Sequence, residues 1–269
     1  GQKQDDEDIK NRWLKRLTPL PESLQLPYDM RRPMKPSFKG ESYNFSISPQ
    51  LSDKVLKLSK EMHVTVFSVL MSIFNVFIYK HSFQKDFVVG VPVAGRTQPE
   101  LEEMVGLLVN TIPVRCSIEP DMNFCDFVKK VSDRLLDALS DQEYPLEDLV
   151  NNLELPRNDM RNPLFDVLIA MEDSIWQIDS NTQYLKMEKY FLPGLHSRMD
   201  MSFYFGIDEN GINISIEYST DLFYRKTVER MAERFTCLVQ SITSESEKPL
   251  CSFNILPLAE KHLVINQYN

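Results

Sequence analysis

The chain has 269 residues, 42% of them hydrophobic, which is enough for one large domain or two small ones with a proper core. Its formal net charge is −9 and its pI about 5.1, so an acidic surface disfavours nucleic acid as a partner. The longest apolar stretch is short and interrupted by polar residues, so we expect no membrane span. Four dispersed cysteines without a CxxC pair predict no metal site or disulfide framework and favour a reducing cytoplasm.

The N-terminal third predicts helices, a strand and a long proline-rich segment. The polar, acidic start leads into a short helix at NRWLKRL, and TPLPESLQLPYDMRRPMKP then crosses a surface in extended form. ESYNFSI predicts a strand. Ser48 followed by Pro49 is a helix start, and Thr65 can cap a second helix, VFSVLMSIFNVFIYKH. That helix is apolar nearly all the way round, so we expect it to be buried.

Two strands are predicted in the middle of the chain. FVVGVPVA is a continuous β-branched run, typical of a strand covered on both faces, and TQPELEEMVG follows as a turn with a helical piece. VGLLVNTIPVR, residues 105–115, predicts the next strand, in which Asn110 shares a face with Ile112 and Thr111 points the other way. Since Pro113 has no N–H for a ladder, this strand lies on an edge or is interrupted there.

The second half predicts a helix pair, a strand, a hairpin and a last helix. Asn123 can cap FCDFVKKVSDRLLDALSD, and LEDLVNNL follows as a short helix after a Tyr-Pro break. PLFDVLIAME predicts a strand, while MSFYFGI and INISIEY predict a hairpin around the turn DENG. An amphipathic helix runs from about Tyr224 to Ile242, and the polar tail reads as a linker. This alternation predicts an α/β fold with a mixed sheet and packed helices.

Few residues indicate chemistry by themselves. No GxGxxG, GxxxxGK[ST] or GxSxG motif is present. The four histidines are far apart, and each fits a surface or capping position better than a catalytic base. His196, just before a strand, has the most context, and Asp200 could orient a base or cap a loop, with the structural role favoured. The amide of Asn110 fits a satisfied core residue and the lining of a polar channel equally well.

Four further stretches have a simple structural explanation. The small residues of GVPVAGR, from Gly90 to Arg96, let a ligand or another backbone approach, although an ordinary turn explains them too. Arg115 fits an ion pair at a strand end. The carboxylates of DQEYPLED most simply cap a helix start. RNDMRNPLF most simply forms a salt-bridged turn.

Taken together and in this order, these stretches resemble the condensation domains of nonribosomal peptide synthetases. The family patterns (I/V)GxFVNTxxxR, (H/N)QDxPFE and RDxSRNPL correspond to VGLLVNTIPVR at 105–115, DQEYPLE at 141–147 and RNDMRNPL at 157–164. LPYDMRRP, FVVGVPVAGRTQPELEEMVG and IEYSTDLF match as well. The departures mostly keep size or polarity; they are Leu108, Asp141, Glu143, Leu146, Asn158 and Met160. The resemblance spans nearly the whole chain and implies one lobe like chloramphenicol acetyltransferase.

The family signature HHxxxDG, with its proposed catalytic histidine, is absent from the sequence. The resemblance therefore implies that residues 1–242 form the C-terminal lobe, with residues 1–40 as its helix and crossing segment. Residues 243–269 are then a linker toward an adenylation domain. The implied activity joins an acyl or peptidyl donor to an aminoacyl acceptor, both thioesters on phosphopantetheine arms of peptidyl carrier proteins. The catalytic imidazole is expected in an N-terminal lobe, so the chain alone should be inactive.

On this interpretation Asn110, Thr111, Ala94 and Gly95 line the substrate tunnel, and no metal or directly bound cofactor is expected. The remaining motif residues hold these segments in shape: Gly106, Arg115, Arg96, Gln142, Pro145, Glu147, Arg157, Arg161, Asn162 and Pro163. Two other functions remain open. One is a platform that binds carrier or adenylation domains without chemistry. The other is a free-standing acyltransferase using coenzyme A, with His196 as its base.

Overall fold

The computed structural model describes residues 2–96, 100, 104–106, 108–155, 160–172, 196–258 and 260–262, with side chains from residue 6 onward. The helices are α1 Gln2–Leu17, α2 Pro49–Met62, α3 Val66–Ser82, α4 Phe124–Ser140, α5 Leu146–Asn152 and α6 Arg225–Ser244. The strands are β1 Gly40–Ser46, β2 Asp86–Val93, β3 Asn110–Ser117, β4 Val167–Met171, β5 Met201–Asp208 and β6 Gly211–Ser219.

The six strands form one mixed sheet in the order β1-β6-β5-β4-β2-β3. β4 runs parallel to both β2 and β5, and the other neighbours are antiparallel. β5 and β6 form the predicted hairpin, with Asp208 paired to Gly211. The α/β fold with a mixed sheet and packed helices is thus confirmed.

The predicted helix starts are confirmed by their hydrogen bonds. The side chains of Ser48, Thr65 and Asn123 each accept from a backbone N–H three residues later, which satisfies a donor that the first helical turn leaves open. Helix α3 is buried as expected, and every residue from Ser68 to Ile78 is inaccessible. No single helix among the described residues is long and apolar enough to cross a membrane; α2 and α3 reach that composition only when counted together across a 111° bend.

Helix α1 is longer than the predicted short helix, because it includes the acidic start of the chain. Two side chains near its end anchor it. Trp13 and Leu17 are 1% and 0% exposed, and the Trp13 indole Nε1 donates to the carbonyl of Asp141 at 3.1 Å. Contacts with residues far along the chain therefore anchor the predicted part of this helix, and local sequence periodicity does not reveal them.

The strand predicted at 105–115 begins later than expected, at Asn110. Val93, the last residue of β2, pairs with Asn110, so residues before Asn110 have no partner strand there. Val105 and Val109 are accordingly exposed. β3 lies at the edge of the described sheet, as Pro113 predicts. The helical piece predicted at 97–106 lies largely outside the described residues.

The two faces of the sheet differ in character. On the first face, Phe203 of β5 packs against Phe74 and Phe77 of α3 and Phe235 of α6, with ring centroids 5.0–5.8 Å apart. The alternate residues of each strand, such as Ser202 and Tyr204 of β5, point the other way and form the second face. Residues 18–32 and Phe165 cover one end of it, where the Phe165 ring occupies the space above Gly90. The first face therefore holds the core.

The tail is partly integrated into the domain. Leu250 and Phe253 are 0% and 4% exposed, and Asn123 pairs with Pro249 in an isolated β-bridge. The first part of the segment 243–269 thus packs on the domain. Its role as a linker toward an adenylation domain remains a prediction.

Candidate functional site

The amide of Asn110 connects two of the motifs. Its Nδ2 donates to the carbonyls of Gln142 and Tyr144 at 2.9 and 3.0 Å, and its Oδ1 accepts from the N–H of Thr111 at 2.9 Å. Both ends of the amide are therefore satisfied within the chain. The residue is half-buried, and it fastens the start of β3 to the loop between α4 and α5.

Asp141 holds that loop from the other side. Its carboxylate accepts from the Arg12 Nε at 3.0 Å and pairs with the Arg16 Nη2 at 2.7 Å, both on α1. Burial by itself raises the pKa of Asp141, but hydrogen bonds from Arg12 and Arg16 outweigh it and lower that pKa. The expectation that this carboxylate caps a helix start is wrong: Asp141 lies at the C-terminal end of α4, and its partners lie about 130 residues earlier. Glu147 is in the first turn of α5, as expected.

The residues expected to line a tunnel lie at one end of β2 and β3. Thr111 is half-buried on the second face, where it pairs with Pro92, and Ala94 is exposed just beyond β2. Gly95 has a φ of +64°, and a Cβ there would lie 1.9 Å from the carbonyl oxygen of Leu108, so only glycine fits. A tunnel role for these residues and for Asn110 remains a prediction.

The residues assigned to motif shape contact the chain itself. Arg115 donates to both carboxylate oxygens of Asp86, at 2.8 and 2.6 Å. Arg96 donates to the carbonyl of Met104 at 2.9 Å, Gln142 to that of Leu139 at 3.0 Å, and Asn162 to that of Arg198 at 3.0 Å. Pro145 precedes the first residue of α5, Pro163 lines a surface cleft, and Gly106 has open space around it. Arg157 lies outside the described residues.

A buried charge network ties the crossing segment to the sheet. Asp200 accepts from the Tyr28 hydroxyl at 2.7 Å and from two nitrogens of Arg32. Arg161 pairs with Asp166 at 2.7 Å. Burial and the negative charge of Asp200 raise the pKa of Asp166 to about 6. Asp200 thus has the structural role, and Arg161 of RNDMRNPLF forms an ion pair as expected, with Asp166 just beyond that stretch.

The histidines do not supply an evident base. His196 is exposed and bridges to Lys39 through the backbone, while the hydrogen bonds of the Asp200 carboxylate go to other residues. His63 ends α2 in a left-handed conformation, which is a capping position. The expectation of a surface or capping position is wrong for His81, whose Nδ1 lies 2.9 Å from the Phe77 carbonyl in the core. Burial lowers the pKa of His81 to about 4, so it is neutral at pH 7.

Polar residues on the second face of β5 and β6 are not among those that the motifs identify. Ser202 pairs with Glu217, and Tyr204 pairs with Ser215. The sequence signal for them is the alternation in MSFYFGI and INISIEY, where every second residue leaves the core. Among the residues that the structure describes, no group of three or more His, Cys, Asp or Glu is placed to hold a metal ion.

The described chain is thus a mixed six-stranded sheet with helices packed on its first face and motifs gathered at one end of β2 and β3. The family model of the condensation domain matches residues 1–265. The chain therefore belongs to the condensation-domain family, as the motifs predict.

Curated relatives are synthetases of peptide antibiotics. Surfactin synthase subunit 2 of Bacillus subtilis (strain 168) is 36% identical over 249 residues, which cover 93% of this chain and 7% of that protein. Gramicidin S synthase 2 of Brevibacillus brevis is 34% identical over 257 residues, covering 96% of this chain and 6% of that protein. The chain thus spans a small fraction of the relatives that it matches.

Solved structures share the fold. A holo four-domain nonribosomal peptide synthetase bound to AMP and glycine matches with a TM-score of 0.88 and 22% identity, over 96% of this chain and 21% of that one. The first condensation domain of the calcium-dependent antibiotic synthetase, in complex with a substrate analogue, matches with a TM-score of 0.74 and 16% identity, over 93% of this chain and 55% of that one.

Proposed function

We propose that this chain forms one wall of the substrate tunnel of a condensation domain, which joins a carrier-bound acyl or peptidyl donor to a carrier-bound aminoacyl acceptor. The observation that carries the proposal is the junction at Asn110. Two motifs that are distant in sequence meet there through hydrogen bonds of 2.9 and 3.0 Å. Thr111 beside it faces the side of the sheet away from the helices that build the core.

The chemistry is an acyl transfer. The acceptor amine attacks the carbonyl carbon of the donor thioester, a C–N bond forms, the C–S bond breaks, and the thiol of the donor arm leaves with a proton. The amine loses a proton in the same reaction, so a proton acceptor or polar partner helps. Because a thioester is already activated, holding both arms in register removes much of the barrier. The wall formed by this chain contributes that positioning.

The proton-handling imidazole belongs, on this proposal, to an N-terminal lobe of the same domain. No two histidines are adjacent in the 269 residues, and His196 has no carboxylate from Asp200 to orient it. The solved condensation domain matched above is nearly twice the matched length. The partners are peptidyl carrier proteins, whose phosphopantetheine arms deliver the substrates, the N-terminal lobe and a neighbouring adenylation domain in the cytoplasm.

The test is reconstitution. The chain alone should form no amide from two loaded carriers, and the chain joined to an N-terminal lobe that carries HHxxxDG should form it. Amide formation by the chain alone would contradict the proposed division of labour. Binding of carriers by the joined protein without any product would favour the non-catalytic platform.

Asn110→Ala should slow product formation in the joined protein, because the loop at 141–147 loses its attachment to β3. It should also lower the free energy of unfolding by about 1 to 3 kcal/mol, since two carbonyls lose their donors. Asn11→Ala, at an exposed position of α1, is the matched control. Product formation equal to wild type would remove Asn110 from the site.

A further inference from the structure

We propose that Glu217, together with Tyr204, binds a cationic N–H group of the aminoacyl acceptor. The inference rests on the proposed function, since it assigns a ligand to the second face of the sheet. Glu217 lies on β6 directly opposite Ser202 of β5, and Tyr204 is its diagonal neighbour. The three side chains therefore project from the same face.

Glu217 is a partly buried carboxylate on the second face of the sheet. It is half-buried, and burial raises its pKa, although a hydrogen bond from the Ser197 hydroxyl counteracts that rise. The same hydroxyl lies 2.8 Å from the Met199 carbonyl, and its single proton cannot serve both acceptors. Glu217 forms no ion pair with any residue that the structure describes. A partly desolvated carboxylate without a cation is unfavourable, and a cationic ligand relieves it.

The neighbours of Glu217 fit such a ligand. Burial and then the negative charge of Glu217 raise the pKa of Tyr204, so its phenol stays neutral and can accept from an N–H. Ser202 is 1% exposed, and its hydroxyl forms a hydrogen bond with the Tyr204 phenol, so it positions that phenol. By contrast, β2 places Val88, Gly90, Pro92 and the ion-paired Asp86 on this face, and β4 places Leu168 and Ala170 there. The part of the proposed wall formed by β2 and β4 thus carries its carboxylate in an ion pair, whereas Glu217 on β6 forms no ion pair with a described residue.

The ligand chemistry is an ammonium or a similar N–H cation, and two sources supply it. Every aminoacyl acceptor carries an α-ammonium before it loses its proton. Alternatively, the acceptor has a basic side chain. The two sources are separated by comparing lysyl and norleucyl acceptors, because norleucine has the length of lysine without the charge.

The experiment uses the complete condensation domain with Glu217→Gln, which keeps the shape and removes the charge, and Tyr204→Phe. Glu209→Gln, at the exposed turn of the same hairpin, is the matched control. We expect Glu217→Gln to lower the affinity for the acceptor, measured as a rise in its KM, at least about tenfold, since a charge-assisted hydrogen bond to the cation is lost. A loss with lysyl acceptor alone assigns the site to a side-chain cation, and an equal loss with both acceptors assigns it to the α-ammonium. Values equal to those of Glu209→Gln with both acceptors would overturn the inference.

A second measurement does not depend on turnover. The pKa of Glu217 is followed by NMR in the same domain while n-butylammonium is added, and we expect it to fall as the cation binds. A domain that makes no amide but shows this fall contradicts the proposed function and supports the site. An active domain whose Glu217 does not respond, with unchanged kinetics in Glu217→Gln, contradicts the site alone.

Discussion

At the scale of single residues, polar groups inside an apolar setting have two different outcomes in this protein. The Asn110 amide uses both of its N–H groups and its oxygen, and thereby joins a strand to a loop. Asn75, in the middle of α3, is 0% exposed, and neither its nitrogen nor its oxygen has a hydrogen-bond partner among the residues that the structure describes. The first amide stabilises the fold, whereas the second opposes it.

Asn75→Leu should therefore raise the free energy of unfolding by about 1 to 3 kcal/mol, since an apolar group of similar volume removes an unpaired buried amide. Chemical denaturation measures this change in the free energy of unfolding, provided that its dependence on denaturant concentration is the same in both proteins. Asn75→Ala is the companion variant, because it removes the amide but leaves a cavity and should gain less. A destabilised leucine variant would show that the amide has a partner such as buried water.

At the scale of elements, ion pairs join segments that the chain separates. Asp141, 1% exposed in its side chain, pairs with Arg12 and Arg16 and so docks α1 on the end of α4. Since the pKa of Asp141 is lowered in the folded state, its stabilisation is present above the ordinary Asp value of about 4 and is lost as pH falls through the folded pKa.

Asp141→Asn should lower the free energy that docks α1 on α4 by about 1 to 3 kcal/mol at neutral pH. This is less than the loss of a fully buried ion pair would cost, because Arg12 is half exposed. Hydrogen exchange of the Trp13 indole N–H measures this docking. Asp137→Asn, an exposed change on the same helix, is the control. Unchanged protection of the indole would mean that apolar packing of Trp13 alone holds the helix.

Asp166 lies where β4, β5 and the crossing segment meet. The stability that it contributes should change with pH in the opposite direction to that of Asp141. Because the pKa of Asp166 is raised to about 6, its contribution to stability is complete below about 4 and is lost as pH rises through 6. Asp166→Asn should lack this change, so its stability relative to wild type should rise by about 2 to 3 kcal/mol between pH 4 and 7. Asp208→Asn, at the exposed end of β5, is the control for denaturation at both pH values. A constant difference across this range would contradict the assignment.

At the scale of the whole molecule, the tail belongs in part to the domain. Leu250→Ala should destabilise the protein by about 2 to 5 kcal/mol, as expected for a buried leucine, whereas Leu258→Ala, 76% exposed, should change little. Thermal unfolding of both variants measures the difference. Equal stability of the two would mean that the segment after α6 lies free of the core.

Local signals in the sequence predict most of the elements. Ser48, Thr65 and Asn123 cap the helices that they predict, and the alternating strands around Asp208 form the predicted hairpin. Pro113 correctly indicates an edge strand. These features depend on hydrogen bonds and periodicities within a few residues, so they are readable without a fold.

The partners of the motif residues could not be predicted from local signals. Sequence patterns by themselves determined the fold class, because side-chain alternation and turn chemistry act locally, and the ordered motifs indicated the family by their resemblance to condensation domains. Only the tertiary structure decided that β3 begins at Asn110, that Asp141 binds α1 rather than a helix start, and that Glu217 shares a face with Tyr204. Each of those outcomes depends on strand register or on an ion pair across many residues, and packing of the whole chain sets both.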